Sequence, residues 1–175
     1  MNYIFRCILD TKEDIIRDIR IPSSADLEEL HHAVIKAFGL PGGELAAFYR
    51  VNGQWEPVDE IPLMDMGLEG GKKEMKDYRL PDLFVQTGDK MLYVYDFLKY
   101  WTFYVSLLKI EEAGTGDTAP AVIFSKGKMP GEAPERHFES IGEQPGGEDP
   151  FAGEPGFDEG LDFDEGLDPD DFASY

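Results

Sequence analysis

Asp96 is the side chain whose surroundings in this sequence most suggest chemistry. It lies between Tyr95 and Phe97 in an otherwise apolar run, and a buried carboxylate must be hydrogen-bonded or have a raised pKa. Asp96 either forms a ligand-binding site with Tyr95 and Trp101, or it caps a turn or pairs with Arg17, and we favour the second interpretation. No second acid lies at a predictable distance, so the sequence assigns neither an acid–base pair nor a catalytic residue.

His31 is the second candidate because it lies on the apolar face of a predicted helix. It is either a ligand-binding side chain directed at a sheet or a packed histidine with one hydrogen bond, and we favour the packed histidine. The other histidines, His32 and His137, give no pair at metal-ligand spacing, and the single cysteine, Cys7, has no partner. Phosphate-loop and nucleophile motifs are absent from the sequence. We therefore predict no metal and no cofactor, and we favour a protein that is not an enzyme.

The first elements that would position these residues are a hairpin and a helix. Apolar-rich runs at 2–9 and 15–21 predict two strands, with Arg17, Asp18 and Arg20 facing solvent or lying at the sheet edge. The helix that follows carries an apolar stripe and is predicted to be capped by Ser23 paired with Asp26 and to end at Gly39. The stripe consists of Leu27, Leu30, His31, Val34 and Phe38.

The remaining strands complete an α+β domain. An Asn52-Gly53 pair after the apolar run 45–51 predicts a hairpin with a type I′ turn, because both central residues of that turn need positive φ. The strongest strand pattern covers 90–97 and 101–110, and 121–124 adds a final strand. We predict a mixed or antiparallel sheet in the order β-β-α-β-β-β-β-β, with one main amphipathic helix packed on it.

The sequence changes character after residue 128. Residues 129–175 hold fifteen acids and one base, a net charge of −14 out of −20 for the whole chain. Glycine and proline recur, and the hexapeptide FDEGLD occurs twice in tandem at 157–168. Such a composition opposes both helix formation and collapse. We therefore predict a folded domain over 1–128 and a disordered or irregular acidic tail over 129–175.

Three stretches of this sequence together resemble the plasmid pRiA4b ORF-3-like family. They are the strand IRDIRIP at 16–22, the helix beginning DLEELH at 26–31 and ending at Phe38-Gly39, and YVYDF at 93–97 followed by Trp101. The resemblance covers roughly residues 1–125 and implies an α+β domain found in plasmid, transposon and chromosomal contexts. It does not imply an activity, because no biochemical activity of the family is established.

The sequence also departs from the family pattern. Leu98-Lys99 replace the Gly-Asp that commonly follows Tyr-Asp-Phe, and Phe103 stands where the family has a histidine. The family's Cys-Pro-Pro-Glu-Asp stretch is not recognisable around residues 129–132. Any chemistry that those polar residues carry in relatives is therefore largely missing from this chain.

Three functions remain open on the sequence alone. The favoured one is a non-catalytic protein-binding or regulatory module whose tail binds a basic surface, with Phe157, Phe163 and Phe172 as anchors and the acids as steering charge. The alternatives are an enzyme or small-ligand site around Asp96, Trp101 and His31, and a nucleic-acid mimic acting on a DNA-binding protein. We expect no direct nucleic-acid binding, because the acidic tail repels phosphate. We expect neither a membrane span nor a signal peptide, because charged residues interrupt every apolar stretch, and we predict a cytoplasmic protein.

Overall fold

The computed structural model describes residues 1–67, 70–116 and 118–134 and confirms the predicted α+β class. Seven strands form one sheet in the order β4-β3-β5-β6-β1-β2-β7, and every neighbouring pair is antiparallel. The elements, in chain order, are β1 Asn2–Leu9, β2 Ile16–Pro22, α1 Leu27–Phe38, β3 Ala46–Val51, β4 Pro57–Pro62, a 3₁₀ turn Met75–Asp77, α2 Leu80–Leu83, β5 Lys90–Tyr95, β6 Trp101–Glu111 and β7 Ala121–Lys126.

The helix α1 begins at a different cap from the one predicted. Asp26 accepts a hydrogen bond from the backbone N–H of Glu29, and the Glu29 carboxylate accepts one from the N–H of Asp26. This reciprocal pair is a capping box, so Ser23 does not cap the helix. Gly39 ends the helix as predicted, with φ of 65° in the left-handed region that glycine adopts without strain.

The core lies between α1 and the central strands. Aromatic side chains supply much of its volume. The ring centroids of Phe38 in the helix and Phe103 in β6 are 4.7 Å apart, and so are those of Phe5 in β1 and Phe84. Burying a side chain of this size contributes roughly 1.5–3 kcal/mol to folding. The apolar stripe of α1 predicted from the sequence is buried in this layer. The sheet and helix together therefore form the scaffold for every candidate residue in the described part of the chain.

The β3–β4 hairpin is present, but its turn is not of type I′. The carbonyl of Asn52 accepts the N–H of Trp55, and Trp55 itself has φ of 66°. The Asn52 side chain also accepts the N–H groups of Gln54 and Glu56 at 2.9 and 3.1 Å. Because these bonds close a longer loop, the left-handed position falls on Trp55 and not on Asn52 and Gly53.

Two charged side chains of β2, Arg17 and Asp18, are buried, contrary to the prediction that they face solvent or lie at the sheet edge. β2 is not an edge strand, because β7 pairs along its outer side. Asp18 receives two hydrogen bonds from Arg6, both 2.8 Å. Arg17 is buried between α1 and the end of β7. The charge on each residue therefore has partners inside the fold.

The predicted boundary after residue 128 stays a prediction. Met129 and Ala133 pack against the core, so packed chain continues beyond β7. The tandem FDEGLD repeat and the phenylalanines Phe157, Phe163 and Phe172 lie outside the described residues. None of the helices in the described ranges has the length and apolarity needed to cross a membrane.

Candidate functional site

Asp96 ends β5 and shapes the turn into β6. Its φ of 60° places it in the left-handed region, and its N–H donates to the carbonyl of Leu45 at 2.9 Å. Its carboxylate Oδ1 accepts the N–H groups of Leu98 and Lys99 at 3.1 and 3.2 Å. The side chain is 7% exposed. Asp96 is therefore a turn cap, the interpretation favoured from the sequence.

Arg17 is not the partner of Asp96. Its guanidinium donates to the carbonyls of Ala37, Ile16, Lys126 and Gly127 at 3.2, 2.8, 2.7 and 3.1 Å. It also lies over the ring of Phe38, 5.2 Å from the centroid. β2 and β5 are three places apart in the sheet, a separation of about 14 Å at the usual strand spacing. Arg17 thus joins α1, β2 and β7 and is remote from the β5–β6 turn.

His31 is buried against the sheet with one side-chain partner. Its Nδ1 lies 2.7 Å from the hydroxyl of Tyr93, and the two rings meet edge to face. Burial, with a smaller contribution from His32, lowers the pKa of His31 from 6.5 to about 4. The imidazole is therefore neutral near pH 7. This geometry matches the packed histidine that the sequence favoured over a ligand.

Tyr95 and Trp101 face each other across β5 and β6, directly beside Asp96. Both are buried. The Tyr95 hydroxyl lies toward the amides of Gly42 and Glu44 without completing a hydrogen bond, and burial raises its pKa more than these amides lower it. Asp96, Tyr95 and Trp101 therefore meet at one turn. The Tyr95 hydroxyl is buried and lacks a hydrogen-bond partner among the described residues.

A shallow apolar hollow of about 390 Å³ lies beside this turn. Leu45, Met64, Met66 and Phe97 supply its exposed apolar surface, and Lys72 and Asp65 lie on its border. Asp96 does not line it. The hollow was not predicted, because it combines residues from β3, the segment after β4 and the β5–β6 turn, which no local sequence pattern connects.

Metal-ligating side chains do not cluster in the described residues, and the one cysteine there is buried. No three His, Cys, Asp or Glu side chains in this part of the chain are grouped so that they could hold a metal ion. Cys7 is fully buried, and burial raises the pKa of its thiol, which keeps the sulfur in its unreactive protonated form. The hydrogen bonds of Asp96 hold the β5–β6 turn in its left-handed conformation.

Comparisons with known proteins agree with the fold. The family model described as plasmid pRiA4b ORF-3-like protein matches residues 4–137. Among solved structures, the crystal structure of a protein of unknown function, MM3350 from Methanosarcina mazei Go1, is similar with a TM-score of 0.59 and 24% sequence identity. The match covers 71% of this chain and 68% of that protein, and at this identity it shows the fold alone. No protein with a curated description is significantly similar to the sequence.

Proposed function

This chain belongs to the plasmid pRiA4b ORF-3-like protein family, and we propose that it is a non-catalytic protein-binding or regulatory module. In this proposal the folded domain carries the acidic tail, and the tail binds a partner protein with a basic surface. The protein acts in the cytoplasm, which its single buried cysteine permits.

The observation that carries the proposal is that the candidate polar side chains form their hydrogen bonds within the fold. Asp96 caps a turn, His31 bonds to Tyr93, and Arg17 bonds to backbone carbonyls. A catalytic acid, base or nucleophile must reach a substrate, usually within hydrogen-bonding distance. Because these three groups are buried and engaged, they support a structural role for the folded domain better than a catalytic one.

The sequence of the tail supplies the second support. Its repeat places Phe157 and Phe163 six residues apart, each followed by two acids, and Phe172 follows two more acids. A tail that only increases solubility does not require aromatic residues at regular spacing. Acidic residues accelerate encounter with a basic surface, while aromatic side chains supply the contact area that holds it.

The proposal is tested by affinity purification of the full chain at low and high salt. We expect a partner that is retained at low salt, is partly lost at high salt, and disappears when Phe157, Phe163 and Phe172 are changed to alanine. The matched control changes Phe138 and Phe151, two tail phenylalanines outside the repeat, and should retain the partner.

Two results would contradict the proposal. One is retention that does not depend on salt, and the other is a partner list that is unchanged when residues 150–175 are deleted. Competition with duplex DNA for the purified partner separates a nucleic-acid mimic from a general protein-binding module. If DNA displaces the protein stoichiometrically, the partner is a DNA-binding protein and the mimic is the correct alternative.

A further inference from the structure

The outer edge of β7 is apolar and open. β7 pairs with β2 on one side, and within the described ranges no strand pairs with its other side. Val122, Ile123 and Phe124 are 45%, 47% and 45% exposed. Edge strands usually carry proline or charge at such positions because their free N–H and C=O groups attract other strands. Three consecutive exposed apolar residues therefore make this edge suitable for an added strand.

A groove of about 500 Å³ runs between α1 and β7. Its helix wall is formed by Ala33 and Ala37, whose small side chains leave room above the edge of the sheet, and its strand wall is formed by Val122 and its neighbours. We call this the β7 groove, lined by Ile19, Ala33, Lys36, Ala37, Pro120, Ala121 and Val122. Because it borders the open edge, a strand added to β7 would place side chains of one face into it.

Two exposed lysines lie near this edge in a strongly acidic protein. Lys36 lines the β7 groove and Lys128 follows β7 by two residues, and both are exposed. Neither forms an ion pair with any residue in the described part of the chain, whereas Lys126 is paired with Asp14 at 2.8 Å. Two free lysines next to an apolar edge complement carboxylates, while the chain as a whole, at −20, opposes the approach of a second copy.

We propose that the β7 edge binds an extended acidic peptide of a partner protein as an additional strand. Main-chain hydrogen bonds along β7 hold the peptide, a large apolar side chain of the peptide fills the β7 groove, and its carboxylates meet Lys36 and Lys128. This is recognition by strand addition, in which backbone bonds give affinity and alternate side chains give specificity. It requires no residue of the tail and is independent of the proposed function.

The test is a titration of the full-length protein with an eight-residue synthetic peptide in which phenylalanine or valine alternates with glutamate or aspartate. We expect saturable amide chemical-shift changes confined to residues 121–126 and the groove side of α1, and at least tenfold slower hydrogen exchange at outward β7 amides. The same peptide with lysine in place of its acids should give no saturable change. Alanine at Phe157, Phe163 and Phe172 should leave peptide binding unchanged, which separates this proposal from the proposed function.

Matched variants locate the binding. Ile123→Asp on β7 should weaken peptide binding at least tenfold, while Val58→Asp, at an apolar residue on the β4 edge that is more exposed (66% against 47%), should leave it unchanged. Lys36→Glu should weaken it severalfold and Lys99→Glu in the β5–β6 turn should not. Lys36 lies on an exposed helix position, so this pair remains informative if Ile123→Asp disturbs β7.

Three outcomes would overturn the proposal. They are the absence of saturable binding, shifts that map to β4 or elsewhere, and equal affinity for the Ile123→Asp and Val58→Asp variants. Sedimentation velocity without peptide tests whether a second copy of this chain binds the edge instead. If the protein dimerises with rising concentration and Ile123→Asp abolishes the dimer, the edge belongs to a second copy and the acidic-peptide proposal is wrong.

Discussion

At one edge of the sheet, β4 begins at Pro57, ends at Pro62 and carries Asp59 and Glu60 between them. Proline removes a backbone donor and charge resists burial, so both discourage pairing with another strand. At the other edge, β7 has neither proline nor an acid between Ala121 and Lys126. The single register shift against β2 is its one irregularity. One edge of this sheet is thus protected against added strands, and the other is left open.

The two edges also differ in how they are held from inside. β7 is attached through Arg17, whose guanidinium reaches the carbonyls of Lys126 and Gly127. At β4 the corresponding charged contact is an exposed pair, Arg50 with Asp59 at 3.5 Å, which contributes little in water. The open edge is thus the one whose internal attachment is polar and buried.

The largest effect is expected for Arg17→Leu. The substitution leaves four backbone carbonyls without their donor in a buried setting, and it should lower the free energy of unfolding by about 3–5 kcal/mol. Arg50→Leu at the β4 edge should lower it by less than about 1 kcal/mol. Urea denaturation measures both values. Equal losses would show that Arg17 is not what distinguishes the two edges.

Gly127→Ala should have the next largest effect. Gly127 has φ of 77°, and an added Cβ would lie 2.4 Å from the carbonyl oxygen of Asp14. Left-handed strain and the backbone clash together should cost about 2–3 kcal/mol. Gly53→Ala, at an open position in the β3–β4 turn, is the control and should change little. Exchange protection at residues 121–126 should fall in the first variant only.

Acidification should affect the β5 side of the sheet before the β7 side. The pKa of His31 is about 4 in the folded protein and 6.5 in solvated chain, so the unfolded state binds more protons between these values. Stability is therefore complete above pH 6.5 and falls as pH decreases toward 4, by roughly 1–2 kcal/mol near pH 5.

Hydrogen exchange between pH 7 and pH 5 checks this prediction. Protection should decrease first at β3 and β5, against which His31 packs through Tyr93. His31→Gln should remove the pH dependence from this source, and His32→Gln, at an exposed position, should keep it. Simultaneous loss of protection at β7 would contradict the separation of the two sides.

The smallest effect on stability is expected for exposed residues of the edges themselves. Ile123→Thr and Val58→Thr should each change the free energy of unfolding by no more than about 0.5 kcal/mol. They should differ in peptide binding, because only Ile123 lies on an open apolar edge. Titration with the alternating acidic peptide should therefore show weaker binding for Ile123→Thr and unchanged binding for Val58→Thr. Equal affinities would mean that β7 is not the edge that accepts an added strand.

The order of the elements could be predicted from the sequence because it depends on local periodicity. Alternating and helical apolar patterns placed all seven strands and the helix in the correct order. The Asp96 turn and the packed His31 were also predictable, since a polar group in an apolar run must find a partner. The Ser23 cap was predicted wrongly, although Asp26 and Glu29 have the sequence spacing of a capping box.

The arrangement of the strands could not be predicted in the same way. The pairing of β7 with β2 joins residues more than 100 positions apart, and nothing local to Arg17 or Asp18 indicates that another strand will cover them. The same limit applies to the turn at Asn52, where side-chain hydrogen bonds favour a longer loop than the Asn-Gly pair indicates. The hollow beside the Asp96 turn and the β7 groove also combine residues from distant segments. No local sequence pattern therefore indicates either of them.

The distance along the chain between Arg17 and its acceptors has a consequence for synthesis on the ribosome. Lys126 and Gly127 follow Arg17 by 109 and 110 residues, which takes roughly 5–20 s to translate. Until β7 is made, no strand covers the outer side of β2, and Arg17 lacks these two late acceptors. A hydrated cation at that position opposes pairing of β2 with another nascent chain. Arg17 thus protects β2 first by its charge in water and later by its bonds to the strand that covers it.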